Sequence, residues 1–91
     1  MIRKAVITVH GIVQGVYYRY NTKDRADAFA LRGTVRNLPN GDVEVVAEGE
    51  DDRVRALIEW CRQGPRGARV ERVDVQWEEP SGAFKGFSIR Y

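Results

Sequence analysis

The chain has 91 residues, 43% of them apolar, and fifteen Lys and Arg against thirteen Asp and Glu leave a net charge of +2. About 60 residues already suffice for an independent core, so a length of 91 suits a single domain over residues 1–91 and excludes a second core. Charges of both signs are interspersed, which argues against nucleic acid or a membrane surface as partner, and the lone Cys61 excludes an internal disulfide.

No segment is long and apolar enough to span a bilayer, and the N-terminus lacks the apolar run of a signal peptide. With a single cysteine, these features predict a cytoplasmic protein. In RKAVITVH (residues 3–10), Ala5, Ile7 and Val9 alternate with Val6, Thr8 and His10, and the β-branched content predicts a first strand. A glycine-containing loop follows. Ala26, Phe29 and Ala30 then recur at helical spacing, so a first helix is predicted from about Thr22 to Leu31, with Asn21 or Thr22 as cap and Asp24 near the positive end of its dipole.

GTVRNL and DVEVVAE flank Pro39, Asn40 and Gly41, and the Asn-Gly pair predicts a tight hairpin between strands two and three. In EDDRVRALIEWCRQGP, the apolar stripe Val54, Leu57, Ile58 and Cys61 starts behind acidic residues and stops at Gly64-Pro65, which defines a second helix. Val73, Val75 and Trp77 alternate in a fourth strand, and Phe87, Ile89 and Tyr91 in a short fifth. The order predicts an α/β (α+β) ferredoxin-like βαββαβ sandwich, an antiparallel sheet with two helices on one face and a short fifth strand.

The chemistry concentrates in HGIVQGVYYRYN (residues 10–21), at the junction of strand one and helix one. Unpaired N–H groups and the positive end of the dipole favour an anion there, two glycines permit the backbone to form a concave nest, and Arg19 offers a planar fork of donors suited to phosphate. Read without further information, the glycines are simply turn residues, Arg19 a solvated charge and Asn37 a turn-entry residue before Pro39. No carboxylate or histidine cluster has metal-ligand spacing. His10 reads as a strand-end surface residue and Cys61 as a small buried hydrophobe, and the arginine-rich run from Arg62 to Arg72 reads as a solvated face.

The run GIVQGVYYR resembles the first signature of the acylphosphatases, G-x-V-Q-G-V-x-x-R, and GTVRNLPNGDVEVVAEG resembles the second. The resemblance continues through RQGPRGARVERVDVQW to the closing GFSIRY. It implies hydrolysis of acyl phosphates, the mixed carboxylic-phosphoric anhydrides, to carboxylate and inorganic phosphate. The phosphoryl group would be held by the loop Gln14, Gly15, Val16, Tyr17, Tyr18 and Arg19, and the attacking water oriented by Asn37. The same resemblance implies no cofactor and no metal, a small-molecule partner and a monomer.

The sequence departs from the family pattern at four positions, Tyr17, Tyr18, Thr34 and Ala30. Tyr17 and Tyr18 are expected at the lip of the loop, Thr34 stands where the family has an aromatic, and an exchange of size between Tyr17 and Thr34 is expected. Ala30 replaces a glycine at the end of helix one, which predicts a less sharp close. Two other functions compete. Tyr17, Tyr18 and Tyr20 beside Arg19 suggest a single-stranded RNA module, although such modules carry their stacking rings on central strands. A non-catalytic phosphate-binding domain would keep the cradle without turnover.

Overall fold

The protein is described by a computed structural model covering all 91 residues. The first alternating run forms β1 (Ile2–Ile12), longer than the pattern alone indicates, with Ala5, Ile7 and Val9 fully buried. It is followed by α1 (Tyr18–Ala28), β2 (Arg32–Asn37), β3 (Val43–Glu50), α2 (Asp51–Gln63), β4 (Arg69–Glu78) and β5 (Phe87–Arg90). The sheet order is β4-β1-β3-β2-β5. The ferredoxin-like arrangement is therefore present, with one correction: β5 runs parallel to β2, through pairs such as Gly33 with Phe87, so the sheet is mixed rather than wholly antiparallel.

One face of the sheet presents Ala5, Ile7, Val9, Val35, Val43, Val45 and Ala47, and these pack in a single core with the buried stripes of both helices. From α2 come Val54, Leu57, Ile58 and Cys61, the residues its periodicity indicates, behind Asp51 and Asp52 in the first turn. The α1 stripe differs from expectation. It consists of Tyr18, Thr22 and Ala26, an i, i+4, i+8 series, and the helix begins four residues earlier than its apolar pattern indicates.

The early start has a physical cause. The Tyr18 ring is buried against Trp60, 5.4 Å between centroids, and its hydroxyl donates to the Cys61 carbonyl at 2.7 Å. Thr22 is tolerated inside because its hydroxyl donates to the Tyr18 carbonyl at 2.7 Å. Consequently neither Asn21 nor Thr22 caps the helix. The N-cap is Tyr17, no side chain caps it, and no acid stands in the first turn.

The far end of α1 also corrects an expectation. Leu31 N–H donates to Ala26 O (2.8 Å) and Ala30 N–H to Asp27 O (3.0 Å), the paired bonds of a Schellman close. Ala30 thus closes the helix sharply, but at φ 56 with a Cβ. Because Ala30 is exposed, Ala30→Gly should relieve about 1–2 kcal/mol of left-handed strain against roughly 0.4–1 kcal/mol of added unfolded-state entropy. A gain of about 0.5–1 kcal/mol is expected in urea denaturation. A lowered midpoint would contradict it.

Strands β2 and β3 join through residues 38–42, a five-residue connection rather than a two-residue turn, with Leu38 N–H donating to Asp42 O at 2.8 Å. Only Gly41 there has positive φ. Asn40 acts through its side chain instead, accepting from Asp42 N–H and donating to the Asp42 carboxylate, both at 3.0 Å.

The opposite sheet face carries one buried carboxylate. Glu48 is 1% exposed, and its oxygens accept from Ser81 N–H (2.8 Å), Ser81 hydroxyl (3.0 Å) and Gly82 N–H (2.7 Å), which pins the β4–β5 connection to the sheet. Burial pushes its carboxyl up, but the Ser81 and Gly82 amides, the Ser81 hydroxyl and the Lys4 ammonium outweigh this and hold it below the usual glutamate value. Glu48→Gln removes the charge that strengthens three hydrogen bonds, and should cost about 2–3 kcal/mol. A carboxyl whose folded value is depressed contributes stability at pH above its ordinary value, and that contribution is lost on acidification through the folded value. The gap between wild type and variant in denaturation midpoint should therefore narrow in acid; a gap independent of pH would show that the charge plays no part.

Candidate active site

Strand β1 leaves the sheet at a register shift between His10 and Gly11 in its pairing with β4. Gly11 has φ 137, and a Cβ there would collide with the Arg69 carbonyl, so glycine alone lets the chain pass β4 this closely. Val13 is then buried, and Gly15 turns the backbone at φ 76. Tyr17 follows at φ 61, a left-handed conformation in a non-glycine residue, at the point where α1 begins.

This path leaves donors free. The backbone N–H groups of Gln14, Gly15, Val16 and Tyr17 make no hydrogen bond within the protein, and the first bond of α1 is donated by Asn21 N–H to Tyr17 O at 3.0 Å. With no acid in the first turn, the positive end of the helix has no carboxylate of its own helix beside it. The Gln14 side chain points elsewhere: its Nε2 donates to Leu38 O and to Asp42 O, each at 2.8 Å, and straps the loop to the β2–β3 connection.

A cleft of about 260 Å³ opens here, lined by Val13, Gly15, Tyr17, Tyr18, Arg19, Tyr20 and Asn37. Arg19 and Asn37, 18 positions apart in sequence, thus share one wall system. Asn37 closes β2 on the same face as buried Val35, the face covered by the helices. Topology explains the meeting: β1–α1–β2 carries β2 back parallel to β1, with β3 between them, so the C-terminal end of β2 lies level with the C-terminal end of β1 and the start of α1.

Of the loop residues named from sequence, Gly15, Tyr17, Tyr18 and Arg19 line the cleft with Asn37, whereas Gln14 and Val16 do not. Val16 packs against the core and lines a neighbouring groove with Tyr17, Arg25, Trp60 and Arg66. Tyr18 is corrected from lip to core, being 2% exposed, while Tyr17 stands out at 74%. Thr34 alternates with Val35 and so lies on the sheet face away from the helices and from Tyr17, which removes the basis for a size exchange between them. None of the three tyrosines lies on a strand.

Arg19 has a neighbour that sequence reasoning missed. Its guanidinium lies 4.8 Å from the centre of the Tyr91 ring, and the Tyr91 hydroxyl is 3.2 Å from that of Tyr20. The β5 pairing with β2 brings the C-terminal residue there; alternation in β5 gave no hint of a destination. No carboxylate lies within ion-pair distance of Arg19. Cys61, by contrast, is no nucleophile: burial pushes its thiol up to about 12, against smaller opposing effects of Tyr18 and Arg62.

Free amides, an arginine fork and a carboxamide around one cleft suit a small tetrahedral dianion attacked by water. The acylphosphatase family model matches residues 5–89. An acylphosphatase from Syntrophus aciditrophicus is 50% identical over 91 residues, covering 100% of this chain and 95% of that one. Among solved structures, the acylphosphatase from Bacillus subtilis superposes with a TM-score of 0.94 at 33% identity, covering 100% of both chains. The acylphosphatase from Coxiella burnetii gives 0.93 at 37% identity, covering 98% of this chain and 93% of that one. With the family model spanning both the loop and Asn37, and relatives matched from end to end, the chain belongs to the acylphosphatase family, the enzymes that hydrolyse acyl phosphates.

Proposed function

We propose that the phosphoryl group of the substrate binds in the cleft between Arg19 and Asn37, held by the Arg19 guanidinium and the backbone amides of the Gln14–Tyr18 loop. The observation that carries this reading is the common lining of one cleft by Arg19, Asn37 and a loop whose amides have no partner in the protein. Arg19 neutralises charge on the phosphoryl oxygens, and stacking on Tyr91 restricts where its fork can point. The Asn37 carboxamide accepts a hydrogen bond from the attacking water through its oxygen and so fixes the water's approach to phosphorus.

In the reaction, a water oxygen bonds to phosphorus as the bond from phosphorus to the acyl oxygen breaks. The carboxylate departs with that electron pair, and the water's protons remain on the phosphate oxygens or pass to solvent. An acyl carboxylate is a good leaving group, so fixed donors and a positioned water suffice without a strong protein base, a metal or a cofactor. The single core that unites both helices with the sheet supports reading residues 1–91 as one catalytic unit, acting as a cytoplasmic monomer on a small molecule.

The test is hydrolysis of benzoyl phosphate in the presence of a chelator, with inorganic phosphate as competitor. Turnover is expected to persist with chelator, and phosphate should inhibit competitively. Loss of turnover on chelation, or phosphate inhibition unchanged by Arg19→Ala, would overturn the assignment.

A further inference from the structure

His10 lies outside the cleft, yet both of its ring nitrogens are engaged. Nδ1 is 2.8 Å from Asp42 Oδ2, on the β2–β3 connection. Nε2 is 2.9 Å from Asp74 Oδ2 and 3.3 Å from Arg72 Nη2, both on β4. Arg72 Nε in turn donates to Asp74 Oδ2 at 3.3 Å. One imidazole therefore ties β1, β4 and the β2–β3 connection together, one residue before the bulge that launches the phosphate loop.

Asp42 is also the residue that Gln14 holds. Its carbonyl accepts from Gln14 Nε2 and from Leu38 N–H, and Gln14 reaches Leu38 O, the carbonyl of the residue after Asn37. The side chain of Asp42 is fixed by His10 and Asn40, and its main chain by the loop strap. We infer that His10 is a positioning residue for Asn37, acting through Asp42, and that Arg72 and Asp74 clamp the other side of its ring.

Arg72 and Asp74 hold the far side of the ring. Nε2 meets the Asp74 carboxylate and the Arg72 guanidinium, and that guanidinium holds the same carboxylate, so the imidazole is fixed from β4 while Nδ1 faces Asp42. Two other acids stand nearby: Glu71 lines the same depression from β4, and Glu44 on β3 is engaged by Arg36 at 2.9 Å.

The inference rests on Asn37 orienting the water. Benzoyl phosphate kinetics are compared for wild type, Asn37→Ala, His10→Asn, His10→Gln, Asp42→Ala and Arg72→Ala, with phosphate affinity measured for each. The amide of His10→Asn can place a donor where Nδ1 stands, whereas the longer His10→Gln side chain reaches the Nε2 position instead. Expected are kcat close to wild type for His10→Asn, and about a tenfold fall for His10→Gln and for Asp42→Ala, with phosphate affinity within about twofold of wild type, since a small misplacement of a catalytic group costs rate rather than binding. Arg72→Ala should lower kcat less than Asp42→Ala, because Nε2 keeps its contact with Asp74 while the guanidinium that holds that carboxylate is lost.

If Asn37→Ala lowers kcat while His10→Gln and Asp42→Ala do not, the inference fails alone. If Asn37→Ala itself is without effect, it fails together with the assignment of Asn37. Equal kcat for folded His10→Asn and His10→Gln would reduce His10 to a structural residue, and a kcat of Arg72→Ala equal to wild type would remove Arg72 from the clamp. Should a His10 variant not fold, Asp42→Ala breaks the same contact from the other side, and an unchanged kcat in that variant overturns the inference by itself.

Discussion

Arg19→Ala is expected to lower kcat/KM for benzoyl phosphate by about a thousandfold, the scale of losing one preorganised donor to a developing oxyanion. Both parameters should move. On the proposed assignment the guanidinium meets the phosphoryl oxygens in the ground state and in the transition state, where charge spreads over the equatorial oxygens, so its removal should raise KM and lower kcat. Arg19→Lys should recover little of the loss, because a point charge cannot reproduce a bidentate fork or its stacking on Tyr91. Steady-state kinetics with phosphate inhibition decide it: full turnover in Arg19→Ala would mean that the loop amides alone hold the phosphoryl group.

Asn37→Ala should behave differently, with kcat lowered about a hundredfold and KM close to wild type. Its carboxamide is assigned to the water and not to the phosphate, so the ground-state complex keeps its contacts while the nucleophile loses its orientation. Phosphate affinity is the control. If phosphate binding weakens in Asn37→Ala as much as in Arg19→Ala, Asn37 is a phosphate ligand and another group must aim the water. The two variants also separate roles because the residues sit on different elements, Arg19 in the first turn of α1 and Asn37 at the end of β2.

The clamp around His10 adds a third level to this arrangement. Asn37 and Arg19 face one cleft; Gln14 ties their supporting segments together; His10 and Asp42 tie that junction to β4. Sequence inspection reads His10 as a surface residue, since a histidine at a strand end carries no local sign of partners 32 and 64 positions away. Its side chain is in fact three-quarters enclosed, 22% exposed.

The start of α1 escapes its sequence pattern for a related reason. Apolar periodicity points to Ala26, Phe29 and Ala30, but the buried stripe is Tyr18, Thr22 and Ala26. Tyr and Thr count as polar or mixed in a pattern, and they become interior only because the Cys61 carbonyl and the Tyr18 carbonyl satisfy their hydroxyls. By contrast α2, whose stripe is purely aliphatic plus Cys61, is legible in full.

From the order of residues alone come the element succession and the ferredoxin-like class, because alternation and helical spacing are local properties of a chain, while the two glycine-bearing signatures single out Arg19 and Asn37 as candidates only through their resemblance to the acylphosphatases. Which loop residues face the cleft, the stacking of Tyr91 on Arg19, the burial of Tyr18, the parallel seat of β5 and the partners of His10 belong to the tertiary structure. Each depends on contacts between positions far apart in sequence, which form only once a β1–α1–β2 crossover with β3 between its strands has brought two strand ends and a helix start to one place.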